Sequence, residues 1–130
     1  MARSEQEGAA VAGASESDPA CLFCGIVAGR VPAMVVQSDD QTVAFRDVHP
    51  QAPTHVLVIP RRHVPSASAV EATTGVWIAL MAAAARVAVT EGLGEDGYRL
   101  VINTGPAAGQ SVAHLHVHVL GGRALSWPPG

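Results

Sequence analysis

Residues 113–119 read Ala-His-Leu-His-Val-His-Val, a strict alternation of apolar residues and histidine. A two-residue period belongs to a β-strand with one buried face. The pattern predicts a strand over Ala113–Leu120, with Ala113, Leu115, Val117 and Val119 turned to the core. His114, His116 and His118 then share the other face, neighbours about 7 Å apart along the strand. Three imidazoles in a row can hold one phosphate or one metal ion. Imidazole also titrates near neutral pH, so it can attack phosphorus or move a proton.

The loop before this strand adds to that reading. Asn103 leads into Thr104-Gly105-Pro106-Ala107-Ala108-Gly109-Gln110-Ser111. Glycines let backbone approach a ligand and free N–H groups for an anion. Gln110 and Ser111 place polar donors beside the first histidine. A plain hairpin loop has the same composition, but one that runs directly into a histidine strand suits a phosphate cradle.

The rest of the chain reads as α+β. Apolar residues at helical spacing over Cys21–Ala28 predict a short helix closed by Gly29. Met34–Gln37 and Thr42–Phe45 are strand candidates separated by a turn at Ser38-Asp39-Asp40. Asp47–Pro53 holds two prolines and is a loop. His55–Ile59 is almost continuously β-branched and suits a central strand ended by Pro60. Glu71–Thr90 is the long helix, with a stripe of Val76, Trp77, Leu80, Met81, Ala84, Val87 and Ala88. Ile78, Ala82, Ala83 and Ala85 lie opposite with little charge, so a second face of this helix is available to a partner subunit. Tyr98–Asn103 is the next strand. Helix, strands, helix, strands implies an antiparallel sheet.

Composition narrows the function. The 130 residues carry a net charge of −3 and no Lys/Arg run, which argues against nucleic acid as a partner. No apolar run is long enough to span a bilayer, so no membrane partner is expected. Residues 1–19 lack large apolar side chains and are expected to form a disordered tail ahead of one domain over 20–130. A cytoplasmic location is expected. Cys21-Leu22-Phe23-Cys24 is then a pair of thiols or metal ligands rather than a structural disulfide. A redox pair lacks the usual surrounding pattern, two buried free thiols remain a plain alternative, and half of a zinc site is the third reading.

The segment Gly109-Gln110-Ser111-Val112-Ala113-His114-Leu115-His116-Val117-His118-Val119-Leu120-Gly121-Gly122-Arg123 resembles the histidine triad (HIT) family. Phe45–His55, Val58–His63 and the closing Trp127-Pro128-Pro129-Gly130 are similar to its Hint branch, and the likeness covers about Cys21–Gly130. The resemblance implies a homodimer built on a five-stranded antiparallel sheet. It implies a purine nucleotide as small-molecule substrate, no organic cofactor, and phosphoramidate hydrolysis at the α-phosphorus. His116 would be the nucleophile, His118 a phosphate contact, and His55 an orienting partner. Ser111 and the backbone at Gly109 and Gln110 would stabilise phosphate oxygens, with Asn103 reaching the same side. Phe45 and Val48 would line the base, Asp47 would hold the ribose, and Trp127 would reach the neighbouring subunit's site. The ending argues against a dinucleoside polyphosphate hydrolase; a nucleotide-binding adaptor with incidental activity keeps the same pocket.

Cys24 departs from the animal Hint pattern. Relatives with both cysteines resemble galactose-1-phosphate uridylyltransferases, where two cysteines, a histidine after a Pro-x-x-His turn and the first triad histidine bind zinc. The matching positions are Cys21, Cys24, His63 and His114, implying one structural zinc per chain, with His49 as a second-choice ligand. His114 would then be a fixed element and not a proton shuttle.

Overall fold

The computed structural model describes residues 13–71 and 74–130. A short helix, α1 (Leu22–Val27), is followed by strands β1 (Val35–Ser38), β2 (Thr42–Arg46) and β3 (Thr54–Pro60). Then come the long helix α2 (Val76–Thr90), β4 (Tyr98–Val101) and β5 (Val117–Gly121). The strands form one antiparallel sheet in the order β1-β2-β3-β5-β4. The expected α+β class with five antiparallel strands is the one observed.

β3 is the central strand, and the run of β-branched residues explains why. Both its faces are buried. Val56 and Val58 join Val117, Val119 and Leu115 against Leu80, Ala83, Ala84, Val87 and Ala88 of α2. Leu57 and Ile59 point the other way and pack with Val43, Phe45 and Phe23 of α1. The two helices therefore cover opposite faces of the sheet. Residues directly opposite in an antiparallel pair share a face. The pairing Leu57↔His118 therefore puts His118 on the α1 side.

Several boundaries move. Gly75 has φ 71°, a left-handed conformation that no helix interior allows, so α2 begins at Val76 and not at Glu71. Ala72 and Thr73, also expected to be helical, lie outside the described residues. At the other end Gly92 (φ 75°) and Leu93 close α2: Gly92 N–H bonds to Val89 O and Leu93 N–H to Ala88 O, which carries buried Leu93 into the core. Ala83 belongs to the buried stripe, whereas Met81 is partly exposed.

The largest correction concerns the histidine strand. β5 begins only at Val117, and β4 ends at Val101 and not at Asn103. Residues 112–114 form a bend, and Ala113 is exposed where the alternation had placed it in the core. The three histidines thus do not share one strand face: His118 lies on β5, His116 just before it, and His114 in the bend. Leu115 N–H bonds to Val64 O at 2.6 Å, tying this irregular stretch to the chain after β3 and not to a strand ladder.

Most of the tail expected over residues 1–19 lies outside the described residues, which begin at 13. Within it, Ser15 forms an antiparallel bridge with His63: Ser15 N–H to His63 O at 2.7 Å and His63 N–H to Ser15 O at 2.9 Å. Ordered backbone therefore begins ahead of Cys21. No described helix is long and apolar enough to cross a membrane.

Candidate active site

Two groups of side chains meet on the α1 side of the sheet, with Phe23 between them. One is a cleft of about 300 Å³ lined by Phe45, Asp47, Val48, Ser111, His116 and His118, with Leu22, Ile26 and Val31 completing an apolar wall. The other gathers Cys21, Cys24, His63 and His114. Phe23 sets its ring edge-to-face against His116 (5.2 Å), His114 (5.9 Å) and Phe45 (5.3 Å). It keeps the two groups apart and fixes both histidine rings. Phe23 and this apolar wall are absent from the sequence reading, although Phe23 sits inside the Cys21–Cys24 spacing.

Hydrogen bonds fix the protonation of each imidazole. A neutral ring carries one N–H and one lone pair. His116 Nδ1 lies 2.7 Å from the His114 carbonyl, which only accepts, so Nδ1 bears the proton. The lone pair of His116 is therefore on Nε2. His55 Nδ1 accepts from Gln51 N–H at 3.0 Å, so its Nε2–H donates to His118 Nδ1 at 2.9 Å, with Asp47 Oδ2 at 3.4 Å. His118 must then carry its proton on Nε2. That atom is buried and has no hydrogen-bond partner among the described residues. A lone pair on one ring and an unsatisfied N–H on the next, with ring centres 5.0 Å apart, suit a phosphorus and one of its oxygens.

Asp47, His55 and His118 also stand close enough to suggest a metal site. The tautomers argue otherwise. His55 Nε2 is the protonated nitrogen, so it has no lone pair for a metal. The group is a chain of donors, Gln51 N–H to His55 and His55 to His118, that ends on the unpartnered His118 Nε2–H. Asp47, which lines the cleft, caps the turn, accepting from His49 N–H at 2.8 Å, while its other oxygen stands 3.4 Å from His55 Nε2.

Burial holds His118 in its neutral form, pushing its pKa down to about 4 from 6.5, with His116 and His55 adding to the effect. The sign for stability follows. A folded pKa below the unfolded one means that the unfolded chain binds the proton first as pH falls. The His118 contribution is therefore intact above pH 6.5 and is lost as pH falls towards about 4. In an NMR titration the His118 ring signals should move near pH 4; a midpoint near 6.5 contradicts the buried donor chain.

The cysteine–histidine group has the dimensions of a tetrahedral site. Cys21 Sγ is 3.3 Å and Cys24 Sγ 3.6 Å from His114 Nδ1, and Cys24 Sγ is 3.4 Å from His63 Nδ1. Sulfur and nitrogen ligands of one tetrahedral zinc lie about 3.5 Å apart. The outer atoms agree. His114 Nε2–H donates to Pro60 O at 2.9 Å, leaving Nδ1 with the lone pair that a metal requires. Burial pushes the His114 pKa down to about 4, so the ring is neutral. Burial raises the Cys21 thiol, which then needs a cation to lose its proton. The donor set fits zinc.

Most of the remaining expected residues lie apart from the cleft. Gly109 N–H bonds to Pro106 O and Gln110 N–H to Gly105 O, so these amides are spent on their own loop. The Gln110 side chain braces the same loop, accepting from Gly105 N–H and donating to Pro65 O and Val112 O. Ser111 is the loop residue that reaches the cleft, and Asn103 stands outside it, just beyond β4. Trp127 is 79% exposed, with the Arg99 guanidinium 5.8 Å over its ring. His49 lines the cleft and is not in the metal group.

A model of the HIT domain family matches residues 28–125. The chain is 47% identical to a 14 kDa zinc-binding protein of Zea mays, over 87% of this chain and 90% of that protein. It is similar to the crystal structure of a HIT family hydrolase from Legionella pneumophila: TM-score 0.82, 47% identity, covering 85% of this chain and 99% of that one. A zinc-bound histidine triad family protein from Mycobacterium smegmatis is also similar, with a TM-score of 0.71, 34% identity and coverage of 80% and 76%.

Proposed function

The chain belongs to the HIT domain family, and from that premise we propose that it is a nucleoside 5′-phosphoramidase-like hydrolase with His116 as nucleophile. One observation carries the reading: the His114 carbonyl accepts from His116 Nδ1–H, so the lone pair of this cleft-lining ring is on Nε2, next to a His118 ring whose Nε2–H is unpartnered.

The base of a purine nucleotide packs on Phe45 and Val48, and Asp47 accepts from the ribose hydroxyls. The α-phosphate sits at His116 and His118, with Ser111 as a further donor. His116 Nε2 attacks the α-phosphorus, the P–N bond breaks, and the amine leaves with a proton drawn from solvent. Water then cleaves the phosphorus–histidine bond, its hydroxyl going to phosphorus and its proton to solvent, which releases the nucleoside monophosphate and restores His116. His118 Nε2–H bonds to a phosphate oxygen as its charge grows, and His55 holds His118 in that tautomer. Differential binding of this kind is what accelerates the step.

Cys21, Cys24, His63 and His114 hold one zinc ion. Bound there, zinc supplies a fixed charge and a fourfold cross-link. By holding His114, the site also holds the carbonyl that orients His116.

The working unit in this proposal is a homodimer. Ile78 and Val89 of α2 are exposed, as are Tyr98 and Leu100 on the free edge of β4. Exposed apolar side chains on a helix and an open sheet edge each favour a second copy. Trp127 then serves the partner's site.

A turnover panel tests the reaction class. Adenosine 5′-phosphoramidate is expected to turn over faster than diadenosine polyphosphates. Faster polyphosphate cleavage indicates the other hydrolase, and turnover of neither indicates an adaptor.

A further inference from the structure

The segment ahead of Cys21 contributes no ligand to the cysteine–histidine group, yet it touches two of the four. Asp18 Oδ2 stands 3.8 Å from His63 Nε2, on the far side of the ring from the Nδ1 that faces Cys24. Asp18 N–H points at Cys24 Sγ from 3.4 Å. The other Asp18 atoms lock this placement: Oδ1 accepts from Ala20 N–H at 2.9 Å, and the carbonyl accepts from Cys21 N–H at 3.0 Å. Three residues earlier, the Ser15 bridge pins the His63 backbone in both directions.

The charge contact at His63 and the N–H at Cys24 each have a known consequence at a metal ligand. A carboxylate beside the outer N–H of a ligating imidazole fixes the tautomer and makes the inner nitrogen more basic. An N–H aimed at a thiolate spreads its charge and lowers the cost of burying it. The segment's other holds are Ala14, packed on the core, and an exposed Arg62–Glu16 pair at 3.6 Å, while Asp18 keeps 44% of its side chain exposed. Beyond the turn into Cys21, its hydrogen bonds to the rest of the chain run to His63 and Cys24.

We propose that Asp18 is a positioning residue of the metal site, steadying His63 through its carboxylate and Cys24 through its backbone N–H. The segment Ser15–Asp18 closes over the site as a strap whose order depends on the metal. This rests on the zinc reading given above.

The test uses the full chain, Asp18→Ala and Asp18→Asn. Zinc affinity is measured by competition with a chromophoric chelator. Thermal unfolding of loaded and chelated protein and amide exchange over residues 15–21 are read on the same samples. Asp18→Ala is expected to weaken zinc binding about 10- to 100-fold, and Asp18→Asn, which keeps an acceptor oxygen, by less. The chelated forms of the parent and Asp18→Asn should melt together, because asparagine keeps the acceptor for Ala20 N–H and the interaction it loses matters only with metal bound. In the parent, removing zinc should speed exchange over residues 15–21 by at least about tenfold. A parent that binds one zinc per chain and an Asp18→Ala variant of equal affinity overturn the assignment of Asp18 while leaving the zinc site intact. Exchange unaffected by zinc removal overturns the strap. A parent that binds no zinc overturns this inference together with the zinc reading.

Discussion

Replacing His116 with alanine is expected to lower turnover of adenosine 5′-phosphoramidate by at least about 10³-fold while changing AMP affinity by less than about tenfold. The split follows from where His116 stands. It is 6% exposed and its Nδ1 proton is committed to the His114 carbonyl, so its one free function is the Nε2 lone pair at the cleft. AMP binding rests on other groups: the Phe45 and Val48 surfaces, the Asp47 carboxylate and His118 Nε2–H. Removing a nucleophile deletes a bond made only during reaction, whereas removing a binding group weakens substrate and transition state together. Steady-state kinetics and calorimetry with AMP measure the two quantities. Parent-level turnover in the variant removes His116 from its role, and AMP affinity lost in proportion to turnover makes it a binding residue.

Loss of zinc is the second large effect. Cys24→Ser is expected to remove one zinc per chain, measured by elemental analysis, and to lower the unfolding midpoint. A ligand present at about a thousand times its Kd stabilises by about 4 kcal/mol. For a chain of this size that corresponds to roughly 15 °C. Cys24 is 2% exposed and touches His63, His114 and the Asp18 amide, so serine there leaves a buried hydroxyl without the thiolate's partners. Turnover should also fall, by about 10-fold or more, because His114 carries the carbonyl that orients His116. A parent protein that contains no metal and melts at the same temperature as Cys24→Ser contradicts the structural role.

Local patterns in the sequence carried much of this site. The β-branched run 55–59 marked the central strand, and the leucine, valine and alanine spacing marked α2. The motifs around the histidines and the C-x-x-C spacing named the residues that the fold brings together. The alternation itself misled. It extended β5 back through His114, whereas His114 turns off the strand and faces the cysteines. Alternation records residue type, and a bend can bury neighbours of both kinds, as it buries Leu115 together with His114 and His116. Two other features had no local signal. The bridge of Ser15 to His63 and the charge contact of Asp18 join residues 48 and 45 positions apart, in a segment whose composition reads as solvated tail. The loop glycines misled in the opposite sense: the amides of Gly109 and Gln110 close their own turn instead of facing the cleft.

The histidine chemistry is tested most directly by trapping the protein during turnover. Full-length protein is mixed with adenosine 5′-phosphoramidate, quenched in denaturant within the first turnovers, digested at neutral to alkaline pH to preserve a phosphorus–nitrogen bond, and mapped by mass spectrometry. The account predicts one adenosine monophosphate attached to the peptide bearing His116, with fragmentation assigning it to that residue, and no adduct in the His116→Ala variant. An adduct on His118 or Ser111, or full turnover with no covalent species at any quench time, contradicts it.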